Sequence, residues 1–359
     1  MTVSGAYTVN SSEMVGGLGI QSEHIAFISF VTSIGMAAFS PFFYSLVSVR
    51  RQKMMSLVGF SLLAVQSYIC ANTDSLFILA LNSLVMGFVR QTLLMCNLFT
   101  LIKYGFGIEA TRNVTPGNEP KDEAGWDALD TEKKASQPII YFFFMLLGQI
   151  GTWITAWFAY NYQWQMVYYA MLGAILVALL ITLLCMPYNP YPTKRMPLSF
   201  SKFGNVVVFC MMCCSFVYVT VYGKVYDWYD SPSIRWATVI CVVSSLLFFY
   251  LEKTRRSPYF MLKAFKSRSI QGGILLFIGL MICNSSSMLV NIFVGVGMKA
   301  DQIQIAALGN WVLLGYFIGT VIILLLNNKG VHFKWFFAMG FILIAAASLF
   351  MYFEVQTAG

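Results

Sequence analysis

The sequence predicts an all-α polytopic membrane protein, and three observations carry that prediction. Of the 359 residues, 58% are hydrophobic and only 11% charged, where a soluble domain carries about 25% charged residues. A soluble core cannot take up that much apolar surface. The apolar residues also gather in runs close to the roughly 20 residues a helix needs to cross the hydrocarbon. Finally, Lys and Arg collect in alternate gaps between those runs, the pattern that orients a helical membrane protein.

Ten runs are candidate spans, at about 25–47, 54–70, 76–103, 138–160, 165–186, 203–223, 234–251, 270–297, 303–326 and 334–353. The stretch 252–269 is the most basic loop, with Lys253, Arg255, Arg256, Lys263, Lys266 and Arg268. Positive charge stays on the cytoplasmic side, so alternation also places 48–53, 103–137, 187–202 and 327–334 inside. These five loops hold nineteen of the 23 Lys and Arg. The opposite loops hold Lys224, Arg235 and Lys299, and Arg90 lies within a span. The net charge of +8 therefore marks topology, and nucleic acid is not an expected partner. A lipid bilayer is.

Alternation puts both ends outside, yet residues 1–24 lack the basic start and apolar middle of a signal peptide. The expectation is a chain cut at both ends, with 1–24 the outer remnant of a missing first helix. The rest divides into a five-helix N-terminal bundle (25–186), two central helices (203–251), the basic loop 252–269 and three helices (270–359) that begin a C-terminal bundle. Loop 104–137, acidic and Gly/Pro-containing around 117–127, reads as a solvated linker.

Polar residues inside the spans are the candidates for chemistry. Arg90 is the one ionisable residue deep in a span, and burying it costs at least about 2.5 kcal/mol. It shares a helical face with Gly87 and Asn97. One reading is a site for an anionic or polar group; the other is an arginine snorkelling or capping carbonyls. Gln149, Thr152 and the pair Thr155–Ala156 form a second stripe, and Asn284, Ser287 and Asn291 a third. Such stripes line transport routes or serve as interhelical glue. Glu23 and His24, at a span start, are a candidate titrating pair, since no carboxylate falls inside a predicted span. Cys210, Cys213 and Cys214 lack nearby His or acidic ligands and read as core, so no metal or cofactor is expected. Trp153, Trp157, Trp164, Tyr168 and Tyr169 read as an interfacial belt or a greasy binding wall.

Three stretches resemble a known family. Pro258, Leu262, Phe265-Lys266-Ser267-Arg268 and then Gly272 resemble the central loop of the fourteen-helix drug:proton antiporters of the major facilitator superfamily. Asp227-Trp228-Tyr229-Asp230-Ser231 resembles that family's acidic-aromatic outer loop. Asn161-Tyr162-Gln163-Trp164 follows a helix similar to its fifth. Aligned this way, the ten spans correspond to helices two to eleven. The resemblance implies a major facilitator-type bundle in a bacterial inner membrane, exporting hydrophobic or amphipathic small molecules by alternating access, with protons as candidate coupling ion.

The family's other motifs are thinner here. Its loop after helix two is represented by Tyr44, Ser48, Val49, Arg51, Gln52 and Lys53, its fourth-helix motif by Ser83, Met86 and Gly87. The antiporter motif becomes Gly151-Thr152-x2-Thr155-Ala156, which keeps the small residues that let helices pack closely and loses the proline. A non-transporting fragment is the alternative to an exporter. A membrane-embedded enzyme is a weaker one, because His24 and His332 stand at opposite ends of the chain and build no catalytic constellation with an acid; the expectation is a protein that is not an enzyme.

Overall fold

In hydrocarbon no water is available to bond backbone N–H and C=O groups, so an apolar run must close its own hydrogen-bond ladder. The computed structural model describes residues 11–42, 52–100, 123–186, 201–254, 265–292, 301–327 and 333–357. Its elements are α1 (Ser11–Leu18), α2 (Ser22–Phe39), α3 (Gln52–Asn72), α4 (Leu76–Thr100), α5 (Glu123–Asn161), α6 (Trp164–Cys185), α7 (Ser201–Tyr222), α8 (Pro232–Thr254), α9 (Arg268–Ile292), α10 (Gln302–Asn327) and α11 (Phe333–Thr357). Short 3-10 turns occupy Ser40–Phe42 and Trp228–Asp230. Among the described residues there is no strand.

Each of the ten predicted spans overlaps one of α2–α11. Among the described residues eight helices are long and apolar enough to cross a membrane, while α9 and α11 carry the shorter apolar stretches Ile270–Ile282 and Trp335–Leu349. Two boundaries differ from the sequence reading. Helix α2 stops at Phe39, before Pro41, whose missing N–H interrupts the ladder; 43–47 of the predicted span lie outside the described residues. The predicted linker 104–137 is in part helix, for α5 starts at Glu123 and runs 39 residues with Pro138 inside it. At about 1.5 Å rise per residue that is roughly 58 Å.

The chain forms two compact units. The first comprises Met1–Gly107 and Ile154–Ile270. Its core joins Met14 of α1, Ile25 and Ile28 of α2, Leu63 and Cys70 of α3, Leu79, Met86 and Leu93 of α4, and Trp164, Val167 and Tyr168 of α6. A second cluster packs Ile34 and Ala38 of α2 against Val206 and Cys210 of α7, with Phe248 of α8. The two helices predicted as a central pair, α7 and α8, thus pack on one another and, through α7, on α2.

Helix α2 meets α4 at two glycines. A Cβ on Gly35 would strike the Leu84 carbonyl oxygen and lie 3.2 Å from the Gly87 Cα. One on Gly87 would strike the Thr32 carbonyl oxygen and lie 2.9 Å from Met36 N and 3.0 Å from the Gly35 Cα. Backbone touches backbone here, so neither position admits a side chain without separating the helices. At Gly223 the ring of Trp228 would lie 2.8 Å from an added Cβ. Asp227 and Trp228 adopt φ of 50° and 53°, Trp228 N donates to the Gly223 carbonyl at 2.6 Å, and Pro232 then opens α8 at the position a proline suits.

The second unit comprises Ile108–Trp153 and Gln271–Gly359. Phe142 of α5 meets Phe317 of α10 with ring centroids 5.5 Å apart. Gly279 of α9 lies under Phe341 of α11, whose ring would be 3.7 Å from an added Cβ.

Candidate functional site

Four polar constellations sit within the membrane-spanning helices. On α4, Gly87 is taken up in the crossing with α2, Arg90 is half-buried, and Asn97 donates to the Leu93 carbonyl at 2.9 Å. Asn97 thus spends an amide N–H on its own helix, and the stripe of Gly87, Arg90 and Asn97 is divided between packing and local bonding. One turn before Gly87, Asn82 reaches out of α4 instead. Its Nδ2 donates to the Gln66 main-chain carbonyl at 2.9 Å and to Cys70 Sγ at 3.1 Å, both on α3. Gln66 Oε1 and the Ser56 and Ser67 hydroxyls are buried beside this contact face of α3 without a hydrogen-bond partner. Lys53 is half-buried in the first turn of α3.

In the second unit, Gln149 joins α5 to α10. Its Nε2 donates to the Ala306 carbonyl at 2.7 Å and to Asn310 Oδ1 at 3.3 Å, and Trp153 Nε1 donates to the same Asn310 Oδ1 at 3.0 Å. The amide of Gln149 lies where a Cβ on Gly309 would be, so this reach depends on the glycine. Thr152 bonds its own helix, at the Gly148 carbonyl. Gly151 is buried, as are Thr155 and Ala156 in the first unit. The side chains of Asn284 and Asn291 lie outside the described residues; their backbone belongs to α9.

His24 and Glu23 do not form the expected pair. His24 Nδ1 is hydrogen-bonded to the Tyr222 hydroxyl at 2.5 Å, across α2 and α7, whereas Glu23 accepts from Ser22. The reason is helical geometry, since adjacent residues point about 100° apart and only His24 faces α7. Tyr222 is buried among Phe27, Tyr218 and Tyr226, at ring separations of 5.6, 4.7 and 5.7 Å.

The fourth constellation holds an acid at a span end. Glu252 was read as the start of the basic loop; α8 continues to Thr254 and turns Glu252 inward, 4% exposed. Asn205 of α7, 0% exposed, donates from Nδ2 to Glu252 Oε1 at 2.8 Å. A signal was present: Ser244, Phe248 and Glu252 repeat at four-residue spacing, and all three are buried. Asn82, Asn205 and Asn310 were legible too, by the rule that singled out Asn97, as amides within apolar runs.

Among the described residues no three His, Cys, Asp or Glu side chains group as metal ligands. Cys70, Cys96 and Cys210 are buried, form no disulfide and serve as core. Trp164 and Tyr168 are likewise buried core, with Trp164 against Gly17, while Trp157 is exposed.

The fold and its intramembrane hydrogen bonds define a multi-pass α-helical membrane protein. Comparison with protein-family models gives no match, and comparison with curated proteins gives none either.

Proposed function

We propose that the chain is a secondary active transporter of the major facilitator type, exporting hydrophobic or amphipathic compounds from a bacterial cell by alternating access. The reading is supported by the three family-like stretches in their order along the chain. Each falls at a helix boundary: Asn161–Trp164 links α5 to α6, Asp227–Ser231 links α7 to α8, and Phe265–Arg268 leads into α9. Polar side chains that bridge α5 and α10, or α3 and α4, also support it, since transporters of this type keep their substrate route between polar helix faces.

The chain, expressed in a bacterial strain stripped of its own efflux pumps and verified to be in the membrane, is expected to lower accumulation of a fluorescent lipophilic cation. An uncoupler is expected to erase the difference. Equal accumulation with and without the chain refutes the proposal.

A further inference from the structure

Asn310 of α10 stands inside an apolar span with one arm of its carboxamide filled and the other unused. The span runs Ile303–Leu326, which places Asn310 about 10 Å into it at the helical rise of roughly 1.5 Å per residue. Chemistry fixes which way each amide is turned. The indole N–H of Trp153 only donates, so the Asn310 atom it meets at 3.0 Å is the oxygen, Oδ1. The main-chain carbonyl of Ala306 only accepts, so the Gln149 atom 2.7 Å from it is the nitrogen, Nε2. Nε2 also donates to Asn310 Oδ1 at 3.3 Å. Trp153 and Gln149, both on α5, thus occupy Oδ1. The NH2 group on the other arm of the Asn310 amide donates to nothing among the described residues.

An unmet N–H is costly in hydrocarbon, where no water replaces the missing acceptor. Asn310 is nevertheless exposed rather than packed away. Leu314 and Phe317 follow it at the i+4 and i+7 positions, on the same face of α10, and both are exposed as well. The ring of Phe317 lies 5.5 Å from that of Phe142 on α5. A polar head made by Gln149, Trp153 and Asn310 therefore continues into an apolar lane along the same helix face. The head is held in place before anything binds, since Gly309 leaves the room that the Gln149 amide occupies, and such preorganisation lowers the cost of binding. It is also uncharged. Neither 138–161 of α5 nor 303–326 of α10 contains an Asp, Glu, Lys or Arg, so an ion would find no counter-charge on these two helices.

We propose that Asn310, with Gln149 and Trp153, forms a binding site in the second unit for an uncharged amphipathic molecule whose carbonyl adjoins an aromatic or aliphatic body. The Asn310 NH2 group donates to the carbonyl. The indole of Trp153, pinned by its own hydrogen bond, borders the head of the ligand, and Leu314 and Phe317 take its body. That such a ligand is cargo rests on the transporter reading. Binding is measured without transport, so the two proposals fail separately: labelling without export strikes the transporter reading, and export without labelling strikes this site.

The probe is benzophenone, a diaryl ketone that carries both parts of the ligand and couples to nearby C–H bonds under near-ultraviolet light. With the purified full chain in detergent, saturable labelling is expected on α5 and α10 around Trp153 and from Asn310 to Phe317, located by peptide mass spectrometry. Asn310→Leu is expected to raise the half-saturating concentration about tenfold, a loss the size of one hydrogen bond. A second reading needs no variant. Benzanilide, with two rings about an amide, is expected to displace the probe about tenfold better than bibenzyl, the same shape without the acceptor. Labelling that does not saturate or that maps to other helices overturns the proposal. So does an unchanged half-saturation in Asn310→Leu, or equal displacement by benzanilide and bibenzyl; the three side chains then serve only to join α5 to α10.

Discussion

Replacing Gly87 by alanine tests the crossing of α2 and α4. The new Cβ would strike the Thr32 carbonyl oxygen and stand 2.9 Å from Met36 N and 3.0 Å from the Gly35 Cα. All three are main-chain atoms, which cannot rotate aside as a flexible side chain can, so the helices must move apart along the contact that also buries Met86 and Val89. Overpacking of this kind costs about 1–3 kcal/mol. Against it stands the gain of about 1 kcal/mol from exchanging a helical glycine for alanine. Gly173 of α6 isolates that gain, because nothing lies within 4 Å of its added Cβ. The measurement is unfolding in mixed detergent, followed by helical circular dichroism. Gly173→Ala is expected to be neutral or slightly stabilising, and Gly87→Ala to fall below it by the full steric cost of about 1–3 kcal/mol. Gly35→Ala should behave like Gly87→Ala, and the double variant should lose less than the two together, since the first already separates the helices. If Gly87→Ala unfolds with Gly173→Ala, the close crossing does not exist in the membrane-embedded protein.

Asn82→Leu removes the amide that joins α4 to Gln66 and Cys70 of α3; a loss of about 0.6–1.7 kcal/mol is expected, with Cys70 modified faster by a small membrane-permeant thiol reagent. An unchanged modification rate would show that the amide does not hold the α3–α4 contact. Tyr222→Phe keeps the ring packing on Phe27, Tyr218 and Tyr226 and deletes the bond to His24. It should cost about 1 kcal/mol, with His24→Phe on that background adding little. A large additional loss from His24→Phe would place the role of His24 outside this bond.

How far the fold could be read depended on which force set each feature. Helix positions follow from lipid, which demands about 20 apolar residues per crossing, and α2–α11 each carry a predicted run. Helix ends are set by other forces. Residues 123–137 are polar and were read as linker, yet a polar helix is allowed wherever water meets it, and α5 begins at Glu123. The same confusion hid Glu252: its chain neighbours Lys253, Arg255 and Arg256 gave it the look of a loop residue, while its helical register with Phe248 and Ser244 put it inside. Partners were least legible. That His24 finds Tyr222, 198 residues later, depends on α2 lying against α7, and no local pattern encodes that neighbour. Gln149 was singled out as a polar stripe residue, but its partner Asn310 needed Gly309 to clear the way.

The proline within α5 has a consequence for how that helix can move. Having no N–H, Pro138 leaves the carbonyl of Lys134 without its ladder donor. In hydrocarbon such a carbonyl costs several kcal/mol. The apolar span of α5 opens at Pro138 itself, so the unmet carbonyl falls before the apolar span, where water can replace the donor. The ladder is thus cut at the one height along a roughly 58 Å rod where cutting it is almost free. A rod built this way can bend at Pro138, and the turns before it can swing without disturbing the packing of the turns after it.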